Sequence, residues 1–324
     1  MRIIVVGKRG GILHWFENVL DGFSDLHGHD VLPFCSNHSG WFDQLWKSTL
    51  KGFSREILDN LIAEQFLRTL RKFRPDLVLI VDWIHLPKAM LQSLAAGRDS
   101  FAVAWWIGDF FNRELCRSLD IADRYYFTDS YFIKYAAEGG LTNGSYLPLA
   151  YNPKIFRLQN RGKRKEELVF VGAYSSNRAE YFRQIRRKMT IVGKNWDNLS
   201  GTVHEIRACR INIEAVNSLY NEYVGVLNIK NSDNVVSGLN MRTFDAPACG
   251  CVVVNDYLED LGRCFDVGKE ILAYRDIAEL HDQYDRIMND VPFRESIVAA
   301  GRRRVESDHT YRHRLEKIVS DFRC

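Results

Sequence analysis

Residues 236–256 read VSGLNMRTFDAPACGCVVVND, and the run divides into a loop, a short helix, a glycine and a buried strand. Ser237, Gly238 and Asn240 lie in the loop. Arg242 and Asp245 are three apart, so they share one face of the helix that follows. Gly250 suits the helix end, because glycine enters the left-handed region without strain. Residues 251–254 are uninterruptedly apolar, as strands buried on both faces are, and Asn255-Asp256 closes them. A glycine-containing loop at a helix start offers unbonded N–H groups to an anion. An Arg in the first turn adds a planar donor fork for phosphate oxygens, and a carboxylate one turn on accepts hydrogen bonds from hydroxyls. The same spacing also describes a structural loop–helix–strand unit with an ion-paired Arg, and spacing alone does not choose between them.

The same grammar repeats on both sides. Residues 168–171, 189–192 and 224–229 are apolar strands, with a loop opening at Gly172, a basic helical stretch over 178–188 and a short helix over 213–220 between them. Lys230 ends the last of these strands, where it reaches either a phosphate or a salt-bridge partner. Downstream, 270–273 reads as a strand and 277–288 and 293–308 as helices. Residues 151–167 are polar and charged and carry Pro153, the composition of an interdomain linker. The N-terminal half begins with a strand at 2–6, the loop Gly7-Lys8-Arg9-Gly10-Gly11 and a helix with apolar residues three and four apart. Gly10 and Gly11 either let this loop approach a ligand closely or make a simple turn. The loop is GxxGG rather than GxGxxG, and no acid ends the second strand, which disfavours a nicotinamide-dependent dehydrogenase. A helix at 56–73 and strands at 77–81, 101–106, 124–128 and 144–149 continue the alternation. Asp82, His85 and Asp109 stand just past strand ends, as a base or acceptor-binding groups; for Asp109 a helix N-cap is the alternative. Trp105 and Trp106 suit either a sugar face or the core.

Strands alternating with helices imply parallel, doubly wound sheets. The fold class expected is therefore α/β, with two Rossmann-like domains facing across a cleft. The first domain spans 1–150, the linker 151–167 and the second domain 168–308, with a final helix at 309–324 packing back on the first domain. A chain of 324 residues with 46% hydrophobic and 26% charged residues is that of a soluble globular protein of two domains. A net charge of +3 argues against a dedicated nucleic-acid binder. Basic runs at 161–165, 183–188 and 302–304 read as solvated faces and leave peripheral association with an anionic membrane open. The seven cysteines are scattered without a CxxC, the pattern of a reduced, cytoplasmic compartment. The nine histidines show no metal-ligand spacing. The N-terminus reads as a strand rather than a signal peptide, and no run reaches the ~18 apolar residues of a membrane span.

Four segments of the second half carry a family resemblance: FVGAYSSNRAEYFR at 170–183, LNIKNSDNVVSGLNMRTFDAPACGCVVVND at 227–256, GKEILAYRD at 268–276 and AAGRRRVESDHTYRHR at 299–314. In this order they resemble the CgeB-like proteins of the glycosyltransferase group 1 superfamily, which have the GT-B fold. WWIGD at 105–109 and LPLAYNPKIF at 147–156 extend the likeness more weakly into the first half. The resemblance implies transfer of a sugar from a UDP-, GDP- or dTDP-sugar to a glycan, protein or small-molecule acceptor. It implies a donor bound mainly in the second domain, with no cofactor or metal required, since a DxD motif is absent. Asp245 falls where the superfamily has the Glu that binds ribose, and Ser237 where a second Glu often stands. Ala173 and Arg178 fall at the superfamily's Arg and Lys after the first strand. The donor set implied is Gly10, Gly11, Gly172, Arg178, Lys230, Ser237, Gly238, Asn240, Arg242 and Asp245, with Asp109, His85 and Asp82 as catalytic candidates. His309, Tyr311 and His313 match the family's tail, in a structural role. Pro247, inside the proposed helix, is expected to end or kink it. Two other readings remain: a nucleotide-sugar epimerase or hydrolase on the same fold, and a non-catalytic carbohydrate-binding or assembly protein.

Overall fold

A computed structural model describes residues 1–10, 14–36, 55–81, 86–108, 111, 121–160, 162–231 and 235–323, with side chains omitted for 55–58. Gly11, Asp82, His85 and Asp109 lie outside the described residues, so three of the four are the whole catalytic set expected from sequence. The chain divides into two units, one of Met1–Pro148 with Tyr311–Cys324 and one of Leu149–Thr310.

The first unit is built on a parallel sheet of order β2-β1-β3-β4-β5-β6. Its strands are β1 (Arg2–Gly7), β2 (Asp30–Cys35), β3 (Leu77–Ile80), β4 (Ala102–Ile107), β5 (Arg124–Phe127) and β6 (Gly144–Tyr146). The central strands are buried on both faces: Ile3–Val6, Leu77–Ile80 and Val103–Trp106 are all without exposed surface. Each such aliphatic side chain contributes roughly 1.5–3 kcal/mol on leaving water. Helix α1 (Trp15–Ser24) buries Phe16, Val19, Gly22 and Phe23, one apolar stripe at helical spacing. Among the described residues, α2 (Arg55–Phe73), α3 (Lys88–Ala96) and α4 (Tyr131–Glu138) also accompany the sheet. Trp105 and Trp106 are core residues, since both are fully buried; Trp106 donates its Nε1–H to the Leu147 carbonyl at 2.9 Å and meets Trp15 edge-on at 5.3 Å.

The second unit has a parallel sheet of order β12-β11-β10-β7-β8-β9. It comprises β7 (Lys165–Val171), β8 (Thr190–Gly193), β9 (Glu205–Ala208), β10 (Tyr223–Asn228), β11 (Val252–Asp256) and β12 (Leu272–Tyr274). Its helices are α5 (Ser176–Gln184), α6 (Ile213–Glu222), α7 (Arg242–Ala248), α8 (Leu261–Cys264), α9 (Ile277–Asn289) and α10 (Val291–Asp308). Side-chain caps start four of them, among them α10, where Asp290 accepts from the Phe293 N–H at 2.9 Å. Ser175 accepts from the Arg178 N–H, Asn212 from Ala215 and Asp276 from Glu279, which satisfies donors that a helix start otherwise leaves open. The polar stretch before β7 belongs to this unit, and Lys165 already pairs within the sheet.

Helix α11 (Tyr311–Asp321) returns the chain to the first unit and packs on α1. Gly22 makes the close approach possible, because a Cβ there would meet Leu315 Cδ1 at 2.8 Å and Tyr311 Cβ at 3.0 Å. Arg314 fixes the helix by donating to the Pro148 carbonyl at 2.8 Å, and Tyr126 donates its hydroxyl to Asp321 at 2.8 Å. Among the described residues no helix is long and apolar enough to cross a membrane.

Candidate functional site

In the second sheet the chain runs outward in opposite directions from β7 and β10, which are hydrogen-bonded neighbours. Their carboxyl ends form the switch point at which doubly wound sheets leave a crevice for ligands. Two arginines cross it. Arg178 on α5 donates Nε and Nη2 to the Ile229 carbonyl, at 3.2 and 3.0 Å, and Nη1 to the Ala173 carbonyl at 3.0 Å. Arg242 at the start of α7 donates Nη1 to the Val171 carbonyl at 3.0 Å and Nε to Asn228 Oδ1 at 2.9 Å. Each therefore ties the end of β7 to the end of β10. The Phe170 ring lies beneath both, 5.3 and 5.6 Å from the guanidinium carbons, a favourable placement for cations over an aromatic face.

The two arginines differ in what they leave available. Arg178 is 6% exposed and bound to backbone carbonyls. Arg242 keeps part of its surface open, and its Nη2 has no partner among the described residues. Burial lowers its pKa from the usual value, and the neighbouring Tyr220, Asp256 and Asp245 oppose that. A guanidinium stays protonated under such a shift.

Arg242 is oriented by a buried amide network that sequence reading did not find. Asn228 is fully buried; its Oδ1 accepts from Arg242 Nε and from Asn240 Nδ2, the latter at 2.9 Å. Its Nδ2 donates to Asn255 Oδ1 at 2.6 Å, Thr243 Oγ1 at 3.0 Å and Asn240 Oδ1 at 3.1 Å. Asn228 and Asn255 are register partners on β10 and β11, so an asparagine near the carboxyl end of each strand faces the other. Asn255 Nδ2 donates on to Asp256 Oδ1 at 3.2 Å, and Asp256 Oδ2 accepts the Lys230 N–H at 3.0 Å. Burial pushes the Asp256 carboxyl up to about 6, against the pull of the Lys230 N–H and of the Lys230 and Arg242 charges.

The loop before α7 is the other half of the site. Gly238, Leu239 and Met241 are buried and Asn240 is half-buried. No N–H of these four residues donates to any described residue, while the next N–H, on Arg242, goes to Asn240 Oδ1 at 3.0 Å. Consecutive N–H groups without acceptors are donors that an anion can use. Helix α7 itself is short, and Pro247 stands one residue from its end, as its missing N–H dictates. Asp245 is 7% exposed; its N–H donates to the Met241 carbonyl at 2.9 Å, and its carboxylate accepts from no described residue. Burial drives its carboxyl well above the ordinary range, and Arg242 pulls against that. Ser237 is buried, and the Lys230 ammonium has no partner among the described residues.

The turn after β7 is held rigidly. Gly172 donates its N–H to the Val192 carbonyl at 2.9 Å and accepts from Trp196 Nε1 at 2.7 Å. A Cβ on Gly172 would lie 3.3 Å from Arg242 Nη1, and one on Gly193 only 2.0 Å from the Gly172 carbonyl oxygen. Both glycines thus clear space at the switch point.

Gly172, Arg178, Lys230, Ser237, Gly238, Asn240, Arg242 and Asp245 accordingly all belong to the switch-point region of this unit or to its flanking loops. Gly10 is elsewhere, in the first unit, with φ +79° and its N–H bonded to Glu17 at 2.9 Å. His309 is buried, its Nε2 2.8 Å from the Cys264 carbonyl and its ring against Phe244 and Phe265. Asn228, Thr243, Asn255 and Gly193 went unread; the one sequence signal was an Asn closing each of two apolar strands.

Residues 177–320 match the family model of glycosyl transferase-like proteins. No curated protein sequence matches the chain. Solved structures do so over its whole length. Sucrose-phosphate synthase from Thermosynechococcus elongatus superposes with a TM-score of 0.71 at 13% identity, covering 99% of this chain and 98% of that one. A Rickettsia africae glycosyltransferase gives 0.69 at 10% identity, covering 99% and 97%. Anabaena HepE in complex with UDP-glucose gives 0.67 at 12% identity, covering 99% and 100%. The chain thus has the α/β fold of GT-B glycosyltransferases, two parallel six-stranded sheets with helices, and its C-terminal part is similar in sequence to glycosyl transferase-like domains.

Proposed function

We propose that the protein is a glycosyltransferase, of the CgeB-like type, that takes its sugar from a nucleoside-diphosphate donor held in the second unit. The observation that carries this reading is the run of four N–H groups at Gly238–Met241 without acceptors among the described residues, together with the Nη2 of Arg242 and the Lys230 ammonium, neither hydrogen-bonded to a described residue. A diphosphate is the ligand whose oxygens use such a set together. The match of 177–320 to glycosyl transferase-like proteins and the UDP-glucose complex of the Anabaena neighbour support it. In this reading Asp245 accepts from the ribose hydroxyls, and Arg178 braces the strand ends rather than touching phosphate.

During transfer the bond from the sugar's anomeric carbon to the diphosphate oxygen breaks and one to an acceptor oxygen forms. The electron pair departs with the diphosphate, where Arg242, Lys230 and the N–H groups stabilise it as it develops. The acceptor's proton passes to a base, for which Asp109, His85 and Asp82 are the candidates. These cationic and N–H donors offset the diphosphate's charge, so the reading requires no divalent ion. The acceptor is a glycan, protein or small-molecule hydroxyl, and the setting is cytoplasmic.

The test is incubation of the full chain with UDP-, GDP- and dTDP-sugars, with and without a pool of glycan acceptors. Acceptor-dependent release of one nucleoside diphosphate, with sugar appearing on an acceptor, is expected. An isomerised donor would instead establish an epimerase, acceptor-independent release a hydrolase, and donor binding without turnover a carbohydrate-binding protein.

A further inference from the structure

The loop after β11 brings a second carboxylate to the anion site. Ser237, the residue just before the four open N–H groups, is bonded to this loop twice. Its carbonyl accepts the Asp260 N–H at 3.2 Å, and its hydroxyl donates to Glu259 Oε2 at 3.5 Å. The residues flanking Glu259 anchor the loop, since Leu258 is 4% exposed and Asp260 and Leu261 are fully buried. Glu259 alone is open to solvent between them, and its carboxylate has no other partner among the described residues.

A solvent-exposed carboxylate without a cationic partner is the wrong group to face a phosphate, because like charges at contact repel even through water. It is the right group to face a neutral polyol, whose hydroxyls each donate a hydrogen bond that a charged acceptor strengthens. A donor with its diphosphate on the Gly238–Met241 amides carries its sugar directly beyond the terminal phosphate. With the ribose hydroxyls given to Asp245 in the reading above, the neutral hydroxyl-bearing part of such a donor left for Glu259 is the sugar.

Building on the donor reading above, we propose that Glu259 is a specificity-determining residue that accepts hydrogen bonds from hydroxyls of the transferred sugar. Ser237 is its positioning residue, holding the carboxylate against the loop that carries the diphosphate. The substrate class implied is a hydroxyl-rich hexose or pentose donor rather than a deoxygenated or anionic sugar.

The test compares the full wild-type chain with Glu259→Gln and Glu259→Asp by calorimetric titration. The probes are UDP and UDP-glucose, GDP and GDP-mannose, and dTDP and dTDP-glucose. The expected result for the pair that binds is that Glu259→Gln weakens the sugar nucleotide about tenfold, while the nucleoside diphosphate alone changes less than about twofold. Glu259→Asp should restore part of the loss. Equal weakening of both members of the pair, or no change in either, would overturn the assignment and leave the donor site standing. Failure of every probe to bind the wild-type chain would overturn the donor site itself, and the role of Glu259 with it.

Discussion

Arg242 and Asp245 were legible as a pair because three residues of helix separate them, and local spacing survives folding. Asn228, Asn255 and Glu259 were not, because their partners lie 12 to 27 residues away along the chain and meet only once strands pair. Asp256 belongs to this group, and its energetics have a measurable consequence. The carboxyl is raised from 3.8 to about 6 by burial. Between those values the folded chain binds more protons than the unfolded one. Its contribution to stability is therefore fully present below about pH 4 and lost as pH rises through about 6. The gap between the folded and unfolded values corresponds to roughly 3 kcal/mol. Asp256→Asn cannot titrate, so its stability relative to wild type should rise by on the order of 2–3 kcal/mol between pH 4 and pH 7. Urea denaturation of both proteins across that range measures the difference, and a pH-independent offset would show that the site is solvated.

Elements with an uninterrupted apolar run were readable, and those without one were not. Strands β7, β8, β10 and β11 announced themselves by sequence. Strand β9 did not, since Glu205–Ala208 is an edge strand with no fully buried residue, and half-exposed edges carry polar residues. The turn between β7 and α5 shows what local reading misses even where the elements are right. Gly193, at φ +153°, ends β8 and sets the position of the Gly172 carbonyl from across the sheet. Gly193→Ala drives a Cβ into that backbone oxygen and should cost roughly 2–4 kcal/mol. Gly262→Ala, where a Cβ would meet nothing within 4 Å, should stay within about 0.5 kcal/mol of wild type. Denaturation curves of the two variants check this; equal effects would mean the Gly172 turn yields freely.

For the molecule as a whole, the alternation of strands and helices made the two parallel sheets legible, because only crossover connections join parallel neighbours. Strand order was not legible. The pairing of β7 with β10, far apart along the chain, is what converts the 236–256 run from an ambiguous motif into one half of a site. Its other half is the Gly172 turn, braced by Arg178 and Arg242. Residue-resolved amide hydrogen exchange on the full chain addresses that site most directly, with and without saturating UDP, GDP or dTDP. The amides of Gly238, Leu239, Asn240 and Met241 bond to no described residue in the free protein and should exchange readily. With the nucleotide that binds they should slow by about tenfold or more, as each donates to a phosphate oxygen. Binding that leaves those four amides unprotected, or protects a different segment instead, would contradict the placement of the diphosphate at the β7–β10 switch point.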